Sequence, residues 1–207
     1  MKMLKMRVKV TFLEEVLGSA PAAEDIFRDF IASKAPDAAT IEDEVAAIGA
    51  DAVAEEKMTV FPKEDGVPFL YDYQWKGFFK DVCGGLRRVK DSKSAKIKAY
   101  KKEIDKLVFP QPRRIPLVFD GAIGKCVRPL RASTPQGERV SLACSETVPA
   151  GASCEFDIFL LDPGYKQVVC EWMDYGIIGG FGQWRNSGKG RFSWELLSEE
   201  VVDSFNG

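Results

Sequence analysis

A glycine-dense stretch at residues 176–191 constrains the fold more than any other part of the sequence. It reads Gly-Ile-Ile-Gly-Gly-Phe-Gly-Gln-Trp-Arg-Asn-Ser-Gly-Lys-Gly-Arg, and it follows a predicted helix and leads into a predicted strand. A P-loop would have four residues between Gly182 and the next glycine and a Ser or Thr after Lys189, and this stretch has neither. A dinucleotide loop would instead lead from a strand into a helix. The stretch therefore fails both nucleotide-binding tests.

Two interpretations of this stretch remain open. Glycines permit positive φ and the close approach of another backbone, while Arg185, Lys189 and Arg191 supply charge and Trp184 supplies a stacking face. That combination suits single-stranded nucleic acid. In the alternative, a glycine caps the helix and a tight turn enters an edge strand, with Trp184 packed on the sheet.

Hydrophobic periodicity predicts an α+β fold, with a mainly antiparallel sheet covered by helices on one face. We expect one domain over residues 1–207, with an acidic helical insertion at about residues 22–57. The predicted strands are Lys5–Phe12, Ile115–Phe119, Gly124–Leu130, Glu138–Ala143, Ser153–Leu161 and Arg191–Leu197, with a hairpin between Met58–Phe61 and Pro68–Tyr71. The predicted helices are Tyr73–Leu86, the Lys-rich stretch Ser92–Leu107 and Pro163 to about Tyr175.

The composition excludes several kinds of catalytic and metal-binding site. The chain has no histidine, which excludes a Ser-His-Asp triad, a Cys-His pair, a histidine zinc ligand and a histidine general base. The five cysteines lack CxxC spacing, so we expect buried free thiols and predict no metal and no cofactor. No apolar run is long enough to span a bilayer, and no signal-peptide pattern opens the sequence. We therefore expect a cytoplasmic protein without a membrane partner.

The formal net charge of −2 conceals a basic middle third, because residues 76–140 hold 17 Lys and Arg against 6 Asp and Glu. Such a segment could present a phosphate-binding face, or it could be a set of solvated and ion-paired side chains. The same two interpretations apply to Arg128, Arg131 and Arg139, which fall on neighbouring predicted strands or their turn. For the Lys-rich stretch a solvated helix is the default, and a nonspecific electrostatic contact is the second interpretation. Tyr71, Tyr73 and Trp75 alternate and could stack bases, although aromatic core packing is favoured.

Three motifs resemble the repeat-associated mysterious protein (RAMP) superfamily, the RRM-like proteins of CRISPR effector complexes. Gly180-Phe-Gly182, five residues and Gly188-Lys-Gly190 fit its G-h-G-x5-G-h-G loop, with Lys189 at a position that is usually hydrophobic. Val148-Pro-Ala-Gly151 followed by Cys154–Ile158 is similar to its strand entry, and Tyr73–Lys80 is similar to its "S-x-h-K-G-x-h-R" helix start. Along most of its length the chain also resembles uncharacterised proteins of temperate phages and prophages.

This resemblance implies a ferredoxin-like, RRM-like βαββαβ fold whose sheet or flanking grooves bind RNA. It carries over Gly180, Gly182, Gly188 and Gly190 as loop residues and Lys76 as a phosphate contact at a helix start. Phosphate contacts by the loop cations and stacking by Trp184 are our own inference. The predicted nucleic-acid-binding residues are Lys76, Arg128, Arg131, Arg139, Gly180, Gly182, Trp184, Arg185, Gly188, Lys189, Gly190 and Arg191.

The sequence thus predicts a non-catalytic protein of phage or prophage origin, acting in the bacterial cytoplasm. It would bind single-stranded RNA, or less favourably DNA, and could form a homo-oligomer along the strand or join a protein complex. One alternative is a protein-interaction module, either a phage assembly factor or an inhibitor of a host defence complex. A second is a metal-dependent nuclease, which would need at least two carboxylates converging on a basic cleft.

Overall fold

The computed structural model describes residues 2–22, 58–134 and 137–203, and the side chains of residues 129–142 are outside this description. Most of the predicted acidic insertion, at 23–57, also lies outside the described residues.

The described residues form strands, three α-helices and short 3₁₀ turns. The strands are β1 (Met3–Phe12), β2 (Val16–Leu17), β3 (Ala20–Pro21), β4 (Thr59–Val60), β5 (Lys63–Glu64), β6 (Val67–Tyr71), β7 (Val108–Gln111), β8 (Arg114–Pro116), β9 (Gly124–Thr134), β10 (Gly137–Val148), β11 (Ser153–Leu160) and β12 (Phe192–Val202). The helices are α1 (Asp72–Leu86), α2 (Tyr100–Leu107) and α3 (Lys166–Gly179), and the 3₁₀ turns are Lys93–Lys96, Pro163–Tyr165 and Arg185–Ser187.

The chain divides into two compact units. The first unit comprises Met1–Val16, Lys63–Gly121 and Pro149–Gly207, and the second comprises Leu17–Pro62 and Ala122–Val148. The assignment of one domain to residues 1–207 stays a prediction.

The main sheet of the first unit has the strand order β12-β1-β11-β7, with every neighbouring pair antiparallel. Helix α1 lies in the chain between β1 and β7, and α3 lies between β11 and β12. Each helix therefore connects two parallel strands that have a third strand between them. Two interleaved connections of this kind are the βαββαβ arrangement of the ferredoxin-like fold. The predicted α+β, ferredoxin-like class is confirmed.

Strand β1 shows how sequence alternation divides the two faces of this sheet. Met6, Val8 and Val10 are fully buried on one face. On the other face Arg7 pairs with Glu155 and Asp157, each at 3.3 Å. Lys5 and Lys9 are also paired there with carboxylates of neighbouring strands. The polar face of the sheet is consequently charge-balanced rather than basic.

The core of the first unit is centred on the fully buried Trp75 of α1. Its ring centroid lies 4.6 Å from that of Phe156 on β11 and 5.6 Å from that of Phe192 on β12. Helix α1 thus packs on the buried face of the sheet, and for Trp75 the favoured interpretation of core packing is confirmed.

The second unit is built around the β9–β10 hairpin, whose register runs from Gly137 opposite Thr134 to Thr147 opposite Gly124. Strand β10 also pairs with β4 in parallel, with Ser145 opposite Thr59. Both hairpin strands extend beyond the predicted ones, because the antiparallel ladder pairs Gly137 with Thr134 at one end and Thr147 with Gly124 at the other.

The structure places β8 at Arg114–Pro116 where Ile115–Phe119 was predicted, and it adds the unpredicted strand β7. It also corrects the partner of β6 and the Lys-rich helix. The hairpin partner of β6 is Lys63–Glu64 rather than Met58–Phe61, because Asp65 and Gly66 both adopt positive φ and form a two-residue turn. The Lys-rich stretch is not one helix, since Ile97 has extended backbone and separates the turn Lys93–Lys96 from α2.

Candidate nucleic-acid interface

The four glycines predicted for the loop at 176–191 all adopt left-handed backbone. Their φ angles are +68° at Gly180, +79° at Gly182, +82° at Gly188 and +69° at Gly190. A Cβ at Gly190 would lie 2.0 Å from the carbonyl oxygen of Phe181. The spacing of these glycines therefore follows from the backbone path, because L side chains rarely adopt these angles.

The loop is anchored to the core by the hydrophobic residue between its first two glycines. Phe181 is 2% exposed, and its ring centroid lies 4.4 Å from that of Trp75. Its backbone N–H donates to the carbonyl oxygen of Gly190 at 2.8 Å, and the N–H of Gly190 donates to that of Glu15 at 2.8 Å. The loop is thus a fixed part of the fold, and Gly180 caps α3 as the structural interpretation expects.

The three loop cations are paired with carboxylates. Lys189 Nζ lies 2.7 Å from Glu15, and Arg191 Nη2 lies 2.8 Å from Glu14. The third cation, Arg185, lies 2.6 Å from Asp81 on α1. A phosphate at any of these cations would have to share the cation with its carboxylate or displace that carboxylate.

Trp184 adopts left-handed backbone, with φ of 57°, immediately before the 3₁₀ turn Arg185–Ser187. The residue as a whole is 36% exposed. Part of the indole thus remains accessible beside Arg185.

Lys76 lies on α1, away from the helix start, and its ammonium contacts neighbouring elements. Nζ donates to the backbone oxygen of Asp105 at 3.2 Å and lies 4.1 Å from the ring centroid of Phe109. Burial lowers the pKa of Lys76, and the nearby Asp105 carboxylate opposes this effect. Lys76 therefore links α1 to α2 and β7, and a phosphate would compete with those contacts.

The second unit holds the predicted arginines of the β9–β10 hairpin. The Arg128 side chain is 7% exposed, and its Nη1 donates to Ser145 Oγ at 3.5 Å. It is therefore turned into the unit rather than toward solvent. Arg131 lies opposite Val140 and Arg139 lies opposite Ala132 in the ladder, while their side chains are outside the description. The strands thus bring the three arginines into one hairpin, as predicted.

A stronger concentration of charge lies between the end of α1 and the end of α2, at residues 87–106. We call it the basic segment, and it contains nine Lys and Arg against three Asp and Glu. Eight of the nine cations form no ion pair or side-chain hydrogen bond with the described residues, and the ninth, Lys93, bonds to Gln167. The nine are Arg87, Arg88, Lys90, Lys93, Lys96, Lys98, Lys101, Lys102 and Lys106, all of them exposed.

Buried contacts hold the basic segment in place. Ser94 is fully buried, where its hydroxyl donates to Glu171 at 2.7 Å and accepts from Trp172 Nε1 at 2.9 Å. Ile97 and Ile104 are buried on the same segment. The segment is therefore a positioned surface. The sequence pointed to it only as part of the basic middle third, because the lysines form no single stripe on one continuous helix.

No group of three or more His, Cys, Asp or Glu side chains among the described residues could hold a metal ion. None of the described helices is long and apolar enough to cross a membrane.

Comparisons with known proteins support the fold. No protein-family model matches the chain, and no curated protein matches it. Among solved structures it is similar to a chain of "Cryo-EM structure of the Type III-B Cmr-beta bound to cognate target RNA", with a TM-score of 0.52 and 12% identity. The match covers 97% of this chain and 61% of that one, so this chain spans about three fifths of its length. At this identity the likeness shows the fold, and it agrees with the RAMP-like fold expected from the motifs.

Proposed function

We propose that this protein is a non-catalytic protein that binds single-stranded nucleic acid, RNA in preference to DNA. The observation that carries the proposal is the exposed basic segment at residues 87–106, whose nine cations have no carboxylate partner among the described residues. The similar chain comes from a complex that is bound to target RNA, which supports the choice of RNA. In line with the motif resemblance, the proposal includes a backbone-subunit-like role and a phage or prophage origin.

Electrostatics explains why this segment is a better first contact than the glycine loop. A cation without a carboxylate partner brings its full charge to a phosphate and so releases counterions from the nucleic acid, whereas the charge of a paired cation is already partly neutralised. Lys189 and Arg185 are paired in this way, and Lys98 and Lys101 are not. We therefore place the main phosphate contacts on the basic segment, with the loop cations joining by exchange of partners.

Fluorescence anisotropy with labelled single strands of RNA and DNA, measured across a salt series, tests the proposal. The variant Lys98→Gln/Lys101→Gln/Lys102→Gln should bind more weakly than the wild type at low salt. The magnitude of its slope of log K against log salt should be smaller by about 2, since three contacts are removed and each phosphate contact on a single strand contributes about 0.7. The double variant Arg185→Ala/Lys189→Ala separates the contribution of the loop.

The matched control is Lys5→Gln/Lys9→Gln/Lys166→Gln. It removes the same net charge from partly exposed ion pairs elsewhere in the first unit, so it should change the salt slope much less. Equal effects of the two triple variants would show that only overall charge matters. Absence of binding at low salt by the folded wild type would overturn the proposal.

One observation favours the protein-interaction module as a second candidate function. Strand β12 is at the edge of the main sheet, and Leu196, Leu197 and Val201 are 38%, 45% and 62% exposed along it. Edge strands with exposed apolar side chains can pair with another chain. Leu197→Lys/Val201→Lys should abolish self-association or partner capture in size-exclusion chromatography with light scattering, without changing oligonucleotide binding by the monomer.

A further inference from the structure

Three aromatic rings form a row where β6 passes into α1. We call Phe69, Tyr71 and Tyr73 the aromatic row. Phe69 meets Tyr71 edge to face with ring centroids 5.0 Å apart, and Tyr71 stacks on Tyr73 at 5.1 Å with an interplanar angle of 20°. The row runs outward from the core, since Phe69 is 5% exposed and Tyr73 is 52% exposed.

Local hydrogen bonds fix the backbone beneath the row. The backbone N–H of Tyr71 donates to Gln74 Oε1 at 2.7 Å, and that of Tyr73 donates to Asp72 Oδ1 at 2.7 Å. Tyr71 is the N-cap residue of α1 and Tyr73 is in its first turn, so the two rings are carried by a helix start rather than by a free loop. The row is consequently organised before any ligand arrives, which reduces the entropy lost on binding.

An arginine accompanies the exposed end of the row. Arg113 Cζ lies 5.3 Å from the Tyr71 centroid and 5.2 Å from the Tyr73 centroid, and Nη1 is paired with Asp72 at 2.6 Å. The Arg113 side chain is still 64% exposed. A guanidinium has five N–H donors, so one bond to Asp72 leaves capacity for a second anion.

We propose that the aromatic row is a base-stacking platform. One base of a single strand stacks on the exposed side of Tyr73 as the next ring of the row, and Arg113 contacts an adjoining phosphate. Tyrosine faces stack on every base, and an adjacent guanidinium adds charge attraction, so this pairing is sequence-tolerant. The proposal rests on the proposed function and adds to it the residue that holds a base.

The position of the platform is compatible with the basic segment. Tyr73 is at the first turn of α1 and Arg87 follows its last turn, so the two are about 21 Å apart along the helix at 1.5 Å per residue. Both belong to the first compact unit. A single strand that follows α1 would therefore meet the platform at one end and the basic segment at the other.

The test compares Tyr73→Ala and Tyr73→Phe in binding to a labelled single-stranded oligonucleotide of about 12 nucleotides. Tyr73→Ala should weaken binding by about 5- to 150-fold, while Tyr73→Phe retains the ring and should bind like the wild type. The salt slope should be the same for all three, because no phosphate contact is removed. Both substitutions are at an exposed helix position that accepts Ala or Phe, and far-UV circular dichroism confirms that the fold is retained.

A second oligonucleotide with abasic sites throughout separates stacking from backbone contacts. Wild type and Tyr73→Ala should bind this strand equally, since it has no base to stack. If wild type binds the normal strand and Tyr73→Ala binds it equally well, the platform is overturned while the proposed function stands. If wild type binds neither strand at low salt, both proposals fail.

Discussion

Replacing Gly190 with alanine should destabilise the protein much more than the same change at Gly188, although both residues have positive φ. The strain of left-handed backbone is common to the two and costs about 1 to 2 kcal/mol. At Gly188 the new Cβ meets nothing nearer than Arg191 Nε at 3.6 Å, which is ordinary contact. Gly188→Ala should therefore cost only the strain.

At Gly190 the new Cβ would lie 2.0 Å from the Phe181 carbonyl oxygen, so the backbone must move. That movement opens the 2.8 Å bond from the Phe181 N–H to the Gly190 carbonyl oxygen and leaves buried polar groups unpaired. Such a loss costs roughly 1 to 3 kcal/mol. The total for Gly190→Ala is then about 2 to 5 kcal/mol.

Urea unfolding followed by tryptophan fluorescence measures this difference directly, because Trp75 packs against Phe181. The urea midpoint should be highest for the wild type, lower for Gly188→Ala and lowest for Gly190→Ala. Equal midpoints for the two variants would refute the view that close backbone packing, and not φ alone, demands glycine at position 190.

Two further predictions concern buried and titrating groups. Ser94→Ala should lower the free energy of unfolding, measured with urea, by about 1 to 3 kcal/mol, because Glu171 and Trp172 lose a buried partner. The control Ser193→Ala is at an exposed position and should change it very little. Equal effects of the two substitutions would contradict the role of Ser94. Burial and the bond to Glu103 raise the pKa of Tyr165, so the folded protein keeps this proton when the unfolded chain loses it near pH 10. Stability should thus fall as pH rises above about 10, and Tyr165→Phe should make that fall shallower; an unchanged slope would show that Tyr165 does not contribute.

Local sequence signals were sufficient for three of the four strands of the main sheet, β1, β11 and β12, and they missed β7. The alternation over Lys5–Phe12 gave β1 and its buried face, and the Asp65-Gly66 pair gave the turn of the β5–β6 hairpin. In α1 the positions of Trp75 and Phe79 at helical spacing gave both the helix and its core face.

Long-range contacts explain what local signals missed. The predicted helix Ser92–Leu107 is interrupted because Ser94 is bound by Glu171 and Trp172 of α3, about 78 residues away in sequence. No local pattern encodes that anchor. The sequence showed Tyr71 and Tyr73 only as aromatic positions that alternate with Trp75. It did not show that Trp75 is on the core side of α1 while Tyr73 is exposed.

The pairing of the loop cations follows from one topological fact. In the antiparallel pair of β1 and β12, Phe12 is opposite Phe192, so the residues that follow β1 must lie beside those that precede β12. The acidic pair Glu14-Glu15 follows β1, and Lys189 and Arg191 precede β12, which places opposite charges together. A basic loop next to a strand end is thus evidence for a ligand only after the strand that pairs with it has been identified. By this criterion the exposed basic segment, whose cations have no carboxylate partner among the described residues, is the stronger candidate for contact with phosphate.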